Sequence, residues 1–273
     1  MRKYNLTIVA IIFLVSTAFI TSAHPALLSS TSLSTQGNID YNGHMGLPFL
    51  YSTDFETVTK QSSTSLNMGI ENLFVMEGAT MWVEGRDLTT PGITAHSGTK
   101  SIGMSGGTRN EFELNHLSNN FGITEYYVSI WIFLPVGFTV LDWYSIGDPI
   151  GGSTGDWLPQ SETTILGGSP PTYPLIIESW GTWGSSSDPY TIISSVSGFP
   201  PVGRWFKYEF YVKLDPTNGV IKVWIDGEVI CDVSPIRTID YIGQPMTMSI
   251  AKIYGSEADG KKIWADDLKI YGR

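Results

Sequence analysis

The sequence predicts an all-β protein built as an antiparallel two-sheet sandwich. Residues 203–233, GRWFKYEFYVKLDPTNGVIKVWIDGEVICDV, alternate apolar and polar side chains, and Asn218-Gly219 and Asp226-Gly227 interrupt the alternation. Such dipeptides between alternating runs favour tight hairpins, because both turn residues adopt positive φ. The segment therefore predicts a three-strand meander. The chain also holds 29 Gly and 15 Pro and has no segment with a helical period, which favours many short strands joined by turns.

Further strands are predicted on both sides of this meander. Residues 125–135, EYYVSIWIFLP, form an apolar strand that ends at Pro135, because proline cannot donate a ladder hydrogen bond. The other predicted strands lie near 173–180, 190–196, 246–255 and 261–273. About 225 residues follow Pro48, enough for one sandwich with a sizeable core.

The N-terminus predicts export. Arg2 and Lys3 precede an apolar run from Leu6 to Ile20, and small residues lead to Ala23, as in a secretory signal peptide. The run is short for a membrane span, so we expect no span after cleavage and a secreted or cell-surface protein. The predicted organisation is a signal peptide over 1–23, a flexible Ser/Thr-rich tail or linker over 24–48, and the sandwich domain over 49–273.

The net charge of the chain narrows the classes of binding partner. Without Arg2 and Lys3 the chain carries 14 basic and 26 acidic residues, a balance of −12. This excludes nucleic acid, whose binding needs clustered Lys and Arg to neutralise phosphates. It also weighs against polyuronates and sulfated glycans. Cys231 is the single cysteine, so no intrachain disulfide can form, and its apolar neighbours predict a buried thiol.

The order of these C-terminal segments resembles the end of a concanavalin A-like, laminin G-like jelly roll. The resemblance covers residues 203–273, and weaker similarity extends it back to about Tyr51. It implies a jelly-roll sandwich. It does not imply one activity, because this fold carries lectins, binding modules, hydrolases and lyases.

Aromatic residues in predicted loops indicate a glycan-binding platform. An aromatic ring offers an apolar face to the C–H surface of a sugar, and exposed aromatics are costly without such a use. The candidate contacts are Trp143, Tyr144, Trp157, Trp180, Trp183 and Tyr190. The alternative is that half or more of them pack beneath their loops. The strand tryptophans are assigned to the core or to structural roles: Trp131, Trp205, Trp224 and Trp264.

A second resemblance concerns calcium. His96-Ser97-Gly98 with Ser101-Ile102 is similar to a strand of secreted carbohydrate-binding modules, in which an opening Phe-Glu and a closing Asp-Asp hold a structural calcium. The resemblance implies Glu56, Asp266 and Asp54 as ligands here. Strict alternation would also place Asp266 on one face with Trp264, Leu268 and Ile270, where a carboxylate is costly unless paired. The alternative for Asp266 is hydrogen bonding to backbone amides or a salt bridge with a lysine.

A catalytic site is the less favoured expectation. Alginate-lyase-like enzymes of this fold carry an Arg-x-Glu, a Gln-x-His and a C-terminal Tyr. Arg109-Asn110-Glu111 resembles the first and Lys252-Ile253-Tyr254 the last, but the chain has no Gln-x-His. β-Elimination needs a base and neutralisation of the uronate carboxylate, for which Arg109, His116 and Tyr254 are the candidates. The alternating Glu111 and Glu113 are expected on a solvated strand face.

These features together predict an exported, non-catalytic carbohydrate-binding or cell-surface glycan-recognition protein. Its expected partner is a polysaccharide, neutral rather than anionic, and its expected cofactor is a structural calcium. Two alternatives stay open. One is a polysaccharide lyase of the alginate-lyase-like type, and the other is a structural surface protein that assembles by strand exchange.

Overall fold

A computed structural model describes thirteen stretches of the chain, all of them in strands, turns or irregular segments. They are residues 44–56, 59–60, 66–67, 74–85, 95–114, 122–140, 143–152, 160–166, 174–180, 191–197, 200–244, 247–254 and 262–273. Fifteen strands lie within them: β1 (Phe49–Thr53), β2 (Thr59–Lys60), β3 (Leu66–Asn67), β4 (Phe74–Gly85), β5 (Lys100–Leu114), β6 (Glu125–Phe133), β7 (Trp143–Gly152), β8 (Gln160–Leu166), β9 (Pro174–Trp180), β10 (Thr191–Ser197), β11 (Trp205–Lys213), β12 (Gly219–Ile225), β13 (Glu228–Ile236), β14 (Thr247–Tyr254) and β15 (Lys262–Gly272). Nowhere in these stretches is there a helix long and apolar enough to cross a membrane.

The long strand β5 joins two layers. Its first half, Ile102–Ser105, pairs with β15, and its second half, Arg109–Leu114, pairs with β14. The front layer therefore runs from the second half of β5 through β14, β7, β8 and β9 to β10. The back layer runs from the first half of β5 through β15, β6, β11 and β12 to β13, and β1 adds to β15. Each of these pairings is antiparallel.

The core lies between the two layers. The Tyr208 hydroxyl of the back layer is 2.7 Å from the Thr163 hydroxyl of the front layer. The Tyr126 hydroxyl donates to the Pro149 carbonyl at 2.5 Å, again across the layers. One hydrophobic cluster contains buried residues from both layers, among them Ile146, Ile165, Ile130 and Phe210. The prediction of an all-β antiparallel two-sheet fold is confirmed.

The predicted meander is confirmed as β11, β12 and β13, but only one of its two turns has the predicted form. Asp226 and Gly227 both have positive φ, 49° and 82°, as a two-residue hairpin requires. The other connection is the longer stretch Leu214–Asn218, in which the Asp215 carboxylate accepts the N–H groups of Thr217 and Asn218 at 2.8 and 2.7 Å. Gly219 instead begins β12, where a Cβ would lie 2.6 Å from the Ile236 carbonyl.

The predicted face of Asp266 is wrong, because β15 contains a bulge. Asp267 has φ 49°, and the register with β6 shifts between Asp266 and Lys269. Leu268 and Ile270 therefore face the core, whereas Asp266 pairs with Trp131 on the outer side of the back layer. Strict alternation fails here because the bulge adds a residue, and aspartate tolerates the left-handed conformation that the bulge requires.

The end of the predicted tail packs on the back layer. Leu47 is 1% exposed and lies against Tyr211 and Trp224. The His44 ring stacks on Tyr271 with centroids 4.3 Å apart. The last five residues of the predicted tail therefore pack in an aromatic groove on the outer side of the back layer, outside the core between the two layers. The signal peptide over 1–23 and the tail up to residue 43 lie outside the described residues.

Cys231 is buried, as predicted. Burial raises the pKa of its thiol to about 12, so the thiol is protonated and unreactive at neutral pH.

Candidate functional site

The candidate site is the outer face of the front layer, here called the front face. Directly opposed residues of antiparallel strands lie on the same face of a sheet. The positions occupied by Tyr144, Thr163 and Ile165 face the core, since all three are fully buried and Thr163 bonds Tyr208 across the layers. Alternation then assigns the intervening positions of β8, and their partners on β9, to the front face. Ser145 of β7 lies opposite one of them, Thr164, but is itself fully buried.

One row of register partners crosses five strands of the front face, and we call it the central row. Arg109 of β5 lies opposite Tyr254 of β14, and Tyr254 lies opposite Ser145 of β7. The row continues through Thr164 of β8 to Ile176 of β9. Neighbours in such a row have Cβ atoms about 4.5–5.5 Å apart. Two predicted candidates, Arg109 and Tyr254, are therefore brought together at the same face.

A bulge in β14 creates this pairing. Ile250 lies opposite Phe112, but Ile253 lies opposite Asn110, so two residues of β14 face a single residue of β5. Without the extra residue, Tyr254 would shift by one position and would fall on the core side. The sequence gives no signal for this bulge, because Ile250-Ala251-Lys252-Ile253 contains neither Gly nor Pro.

Two predicted glycan contacts occupy register positions of the front face. Trp143 begins β7 opposite Leu166, and Trp180 ends β9 opposite Gln160. Leu166 and Gln160 are the two ends of β8, so the two tryptophans sit at opposite ends of the strands. Six residues of strand separate these ends, or about 20 Å. The central row lies between them.

The structure contradicts the prediction that Tyr144 contacts a glycan. It is 0% exposed, and its ring makes an edge contact with Phe138 at 5.0 Å. Burial raises the pKa of its hydroxyl well above the usual value. The sequence predicted a loop here, but Trp143 and Tyr144 alternate along a strand, so Tyr144 belongs to the core and does not contact a ligand. The remaining candidates lie outside the described residues: Trp157, Trp183, Tyr190 and His116.

Acidic residues dominate the charge of the front face. Glu111 of β5 lies opposite Glu77 of β4, and Glu162 of β8 lies opposite Glu178 of β9. We call these the two glutamate pairs. Glu113 and Asp148 occupy a further row, both opposite Ser249. Arg109 is the one cationic residue among the register partners of this face that the structure describes.

The predicted calcium ligands hold a loop on the other side of the molecule. Glu56 Oε1 accepts the N–H groups of Thr99 and Lys100 at 2.5 and 2.7 Å, and Oε2 accepts the Thr99 hydroxyl at 2.7 Å. The Thr99 hydroxyl and these amides lower the pKa of Glu56. The Lys100 ammonium donates to the Glu56 carbonyl oxygen at 2.6 Å.

Asp266 and Asp267 hold the same loop from the last strand. Asp266 is fully buried and accepts the N–H groups of Ser97 and Asp267 at 3.1 and 2.8 Å. Burial raises its pKa to about 7, against the effect of these amides. Asp267 contacts His96 Nδ1 at 2.5 Å and accepts the Ser97 hydroxyl at 2.7 Å. The His96 ring stacks on Trp131 at 3.8 Å.

This loop is held by hydrogen bonds, which is the alternative that the sequence left open for Asp266. Asp54 is exposed and accepts the Glu56 N–H at 3.1 Å. Within the described stretches, no three His, Cys, Asp or Glu side chains are grouped as a metal site would need. Calcium takes six to eight oxygens, whereas the oxygens of Glu56 and Asp266 are engaged by N–H and O–H donors. The calcium prediction stays a prediction.

The chain shows low similarity to known proteins. No family model and no curated relative matches it. Among solved structures, it is similar to an endo-β-1,4-glucuronan lyase from the fungus Trichoderma reesei, with 14% identity, a TM-score of 0.49, and coverage of 82% of this chain and 96% of that one. It is also similar to domain 4 of the extracellular arabinanase AbnA from Geobacillus stearothermophilus, in complex with arabinotriose (17%, 0.46, 83% and 93%). A third is alginate lyase vAL-1 from Chlorella virus (10%, 0.48, 74% and 93%). These similarities concern the strand arrangement and are too low to assign an activity.

Proposed function

We propose that this chain is an exported glycan-binding protein that holds a polysaccharide on the front face. The observation that carries the proposal is the central row with a tryptophan position at each end. Trp143 and Trp180 would supply aromatic surface at the two ends, and Tyr254 and Thr164 of the row between them would offer hydroxyl groups, whereas Ser145 of the same row is fully buried. Export rests on the N-terminal pattern of Arg2, Lys3 and the apolar run.

The combination suits the chemistry of sugars. Sugar rings present C–H surfaces that pack on aromatic faces, and their hydroxyl groups need hydrogen-bonding partners when water is displaced. Positions about 20 Å apart along the strands exceed the length of one ring, so the face suits a polymer. The excess of acidic over basic residues favours a polymer without anionic groups.

One specific observation favours a second candidate, a polysaccharide lyase. Arg109 and Tyr254 are direct register partners, so both required groups lie on one face. In β-elimination a base removes the C5 proton of a uronate, the C4–O bond breaks, a C4–C5 double bond forms, and the leaving oxygen gains a proton. Arg109 would neutralise the uronate carboxylate and Tyr254 would transfer protons. The acidic residues beside them oppose this function.

A glycan array probed with the mature chain tests the proposal, followed by titration of the best polysaccharide. We expect binding to a neutral β-linked polymer, and we expect its loss in Trp180→Ala or Trp183→Ala with the fold retained. Phe49→Ala is the matched control, because Phe49 is 58% exposed and lies beside Tyr271 at the back layer.

The two candidate functions give different products. Ultraviolet absorbance detects the unsaturated sugar that a lyase would form from alginate or glucuronan. If this product forms, and if Arg109→Ala or Tyr254→Phe abolishes it, the lyase replaces the non-catalytic binding protein as the proposed function. Binding retained in both tryptophan variants would move the contacts to Trp143 and Trp157. If the array shows no glycan bound, the proposed function is wrong.

A further inference from the structure

The outer side of the back layer carries a cluster of aromatic rings that the front face does not use. Trp131 of β6 lies opposite Lys207 of β11, and Trp205 lies opposite Phe133. The His96 ring stacks on Trp131 with centroids 3.8 Å apart and meets Trp205 edge-on at 6.0 Å. Trp131, Trp205 and His96 are each partly exposed, so the three rings form an aromatic surface in contact with solvent. We call it the His96 surface.

Charged groups at the edge of this surface hold one another in place. Asp226, in the turn after β12, accepts the Lys207 N–H at 2.8 Å and pairs with the Arg204 guanidinium at 2.8 Å. Arg204 also donates to the Trp205 carbonyl oxygen at 3.1 Å. A guanidinium has five N–H donors, so these contacts leave others for a ligand, and 59% of the Arg204 side chain is exposed. The edge therefore presents an oriented hydrogen-bonding group beside an indole ring.

The His96 ring is oriented as well. Its Nδ1 lies 2.5 Å from the Asp267 carboxylate, which also accepts the Ser97 hydroxyl at 2.7 Å. The carboxylate favours a proton on Nδ1, which leaves Nε2 as a hydrogen-bond acceptor in the neutral ring. Among the residues that the structure describes, none bonds Nε2. His96 therefore adds an acceptor beside the two indoles.

The charges at this surface are paired, which favours a neutral ligand. Arg204 pairs with Asp226, and Lys207 Nζ is 2.6 Å from Glu209 Oε1. Hydroxyl groups can accept from a guanidinium and donate to a carboxylate or an imidazole nitrogen. Sugar rings combine such hydroxyl groups with C–H surfaces that pack on aromatic faces. The chemistry of the His96 surface thus matches a neutral sugar.

The size of the surface limits the ligand. Trp131 and Lys207 lie on neighbouring strands, and the Asp226 N–H donates to the Lys207 carbonyl oxygen at 2.8 Å. Two strand spacings therefore separate Trp131 from Asp226, or about 10 Å. This distance suits one or two sugar rings, whereas the tryptophan positions of the front face are about 20 Å apart along the strands.

We propose that the His96 surface is a second glycan site, which binds one or two rings of a neutral sugar. This inference goes beyond the proposed function, because the His96 surface and the front face lie on opposite outer sides of the sandwich. One sugar ring packs on Trp205, and its hydroxyl groups bond Arg204, Asp226 and His96 Nε2. A ligand of this size binds weakly. With both sites, one molecule can contact two glycan chains at once.

NMR titration of the variant Trp143→Ala/Trp180→Ala tests the site apart from the front face. The probes are four neutral β-linked disaccharides at millimolar concentration: cellobiose, laminaribiose, mannobiose and xylobiose. We expect at least one of them to shift the indole N–H signals of Trp131 and Trp205. The signal of Trp224 should stay unchanged, because Leu47 packs against that residue.

Arg204→Ala should weaken this binding at least about fivefold, because it removes a charged hydrogen-bond donor to the sugar. Arg237→Ala is the matched control and should bind like its parent. Arg237 is also an exposed arginine beside an aspartate, 3.4 Å from Asp240, but it lies at the other end of β13. Trp205→Ala should abolish binding. Since Arg204 is an exposed side chain, its variant keeps the test valid even if Trp205→Ala fails to fold.

The outcomes separate this site from the front face. No shift at Trp131 or Trp205 with any of the four disaccharides would overturn the second site and leave the proposed function intact. Equal weakening by Arg204→Ala and Arg237→Ala would overturn it as well. If the disaccharides bind here but Trp143→Ala/Trp180→Ala holds the polysaccharide as tightly as the wild type, the second site stands and the front-face proposal is wrong.

Discussion

Tyr254 lies directly opposite Arg109 because β14 carries an extra residue between Ile250 and Ile253. One residue fewer would turn Tyr254 toward the core and leave Arg109 facing a different side chain. A local irregularity therefore decides whether two polar residues share the front face. Bulges commonly re-aim side chains near functional sites, and this one completes the central row.

The opposed glutamates predict a gain in stability on neutralisation. Glu178→Gln should raise the free energy of unfolding by about 0.2–1 kcal/mol, because it removes a repulsion from Glu162 directly across the strands. Chemical denaturation of the free protein at low salt measures the change. Asp232→Asn is the matched comparison and should lower stability, since Asp232 pairs with Lys222 at 3.0 Å. A lower stability in Glu178→Gln would show that Glu178 is already paired with a cation.

The packed end of the tail predicts where the domain begins. A chain starting at His44 should unfold at the same denaturant concentration as the mature protein, and a chain starting at Phe49 should unfold earlier. Leu47→Ala isolates the effect and should cost about 2–5 kcal/mol, because Leu47 is buried against Tyr211 and Trp224.

Leu50→Ala, at a position 43% exposed, is the control for this prediction and should cost much less. Equal stability of the two truncated chains would mean that the groove on the back layer does not need residues 44–48.

The loop held by Glu56 predicts a loss of stability in acid. The folded state lowers the pKa of Glu56 through its hydrogen bonds to Thr99 and Lys100. A carboxyl group with a lowered folded pKa stabilises the protein above its unfolded pKa, and the contribution is lost as the pH falls through the folded value. Glu56→Gln should therefore unfold at a lower temperature than the wild type at neutral pH. The difference between the two should shrink in acid. A constant difference between neutral and acidic pH would exclude the ionised form of Glu56 as its source.

The sequence also predicts that calcium raises the midpoint of thermal unfolding and that Asp266→Ala abolishes the rise. An ion that binds only the native state stabilises it by mass action. Thermal scans in calcium and in chelator measure this. Equal midpoints in the two conditions would refute the calcium prediction and leave the hydrogen bonds to Ser97 and Asp267 as the interactions of the Asp266 carboxylate.

The sequence predicted the strands well where alternation is regular. The strand from Glu125 was located from its apolar run and from Pro135, and the meander from Gly203 was located from its side-chain period of two and its Asp-Gly and Asn-Gly dipeptides. It failed where one added residue changes the face. The bulges at Asp267 and between Ile250 and Ile253 leave no clear mark in composition, since they arise from pairing with strands distant in sequence.

The candidate site was predicted only in part for the same reason. Arg109, Tyr254 and Trp180 were singled out from local patterns, but the sequence could not show that all three fall on one face. Glu162 and Glu178 were missed altogether, because nothing in the sequence of β8 or β9 indicates that the two residues stand opposite each other. The register between strands supplies that information.

A calorimetric titration of the mature protein with its best polysaccharide, beside the variants Trp143→Ala, Trp180→Ala and Phe49→Ala, tests the central claim most directly. If the front face binds the glycan, both front-face variants should weaken binding by about 1–3 kcal/mol, as expected for the loss of an aromatic contact, and Phe49→Ala should bind like the wild type. Undiminished binding by Trp143→Ala and Trp180→Ala together with weakened binding by Phe49→Ala would contradict the claim and place the ligand on the back layer.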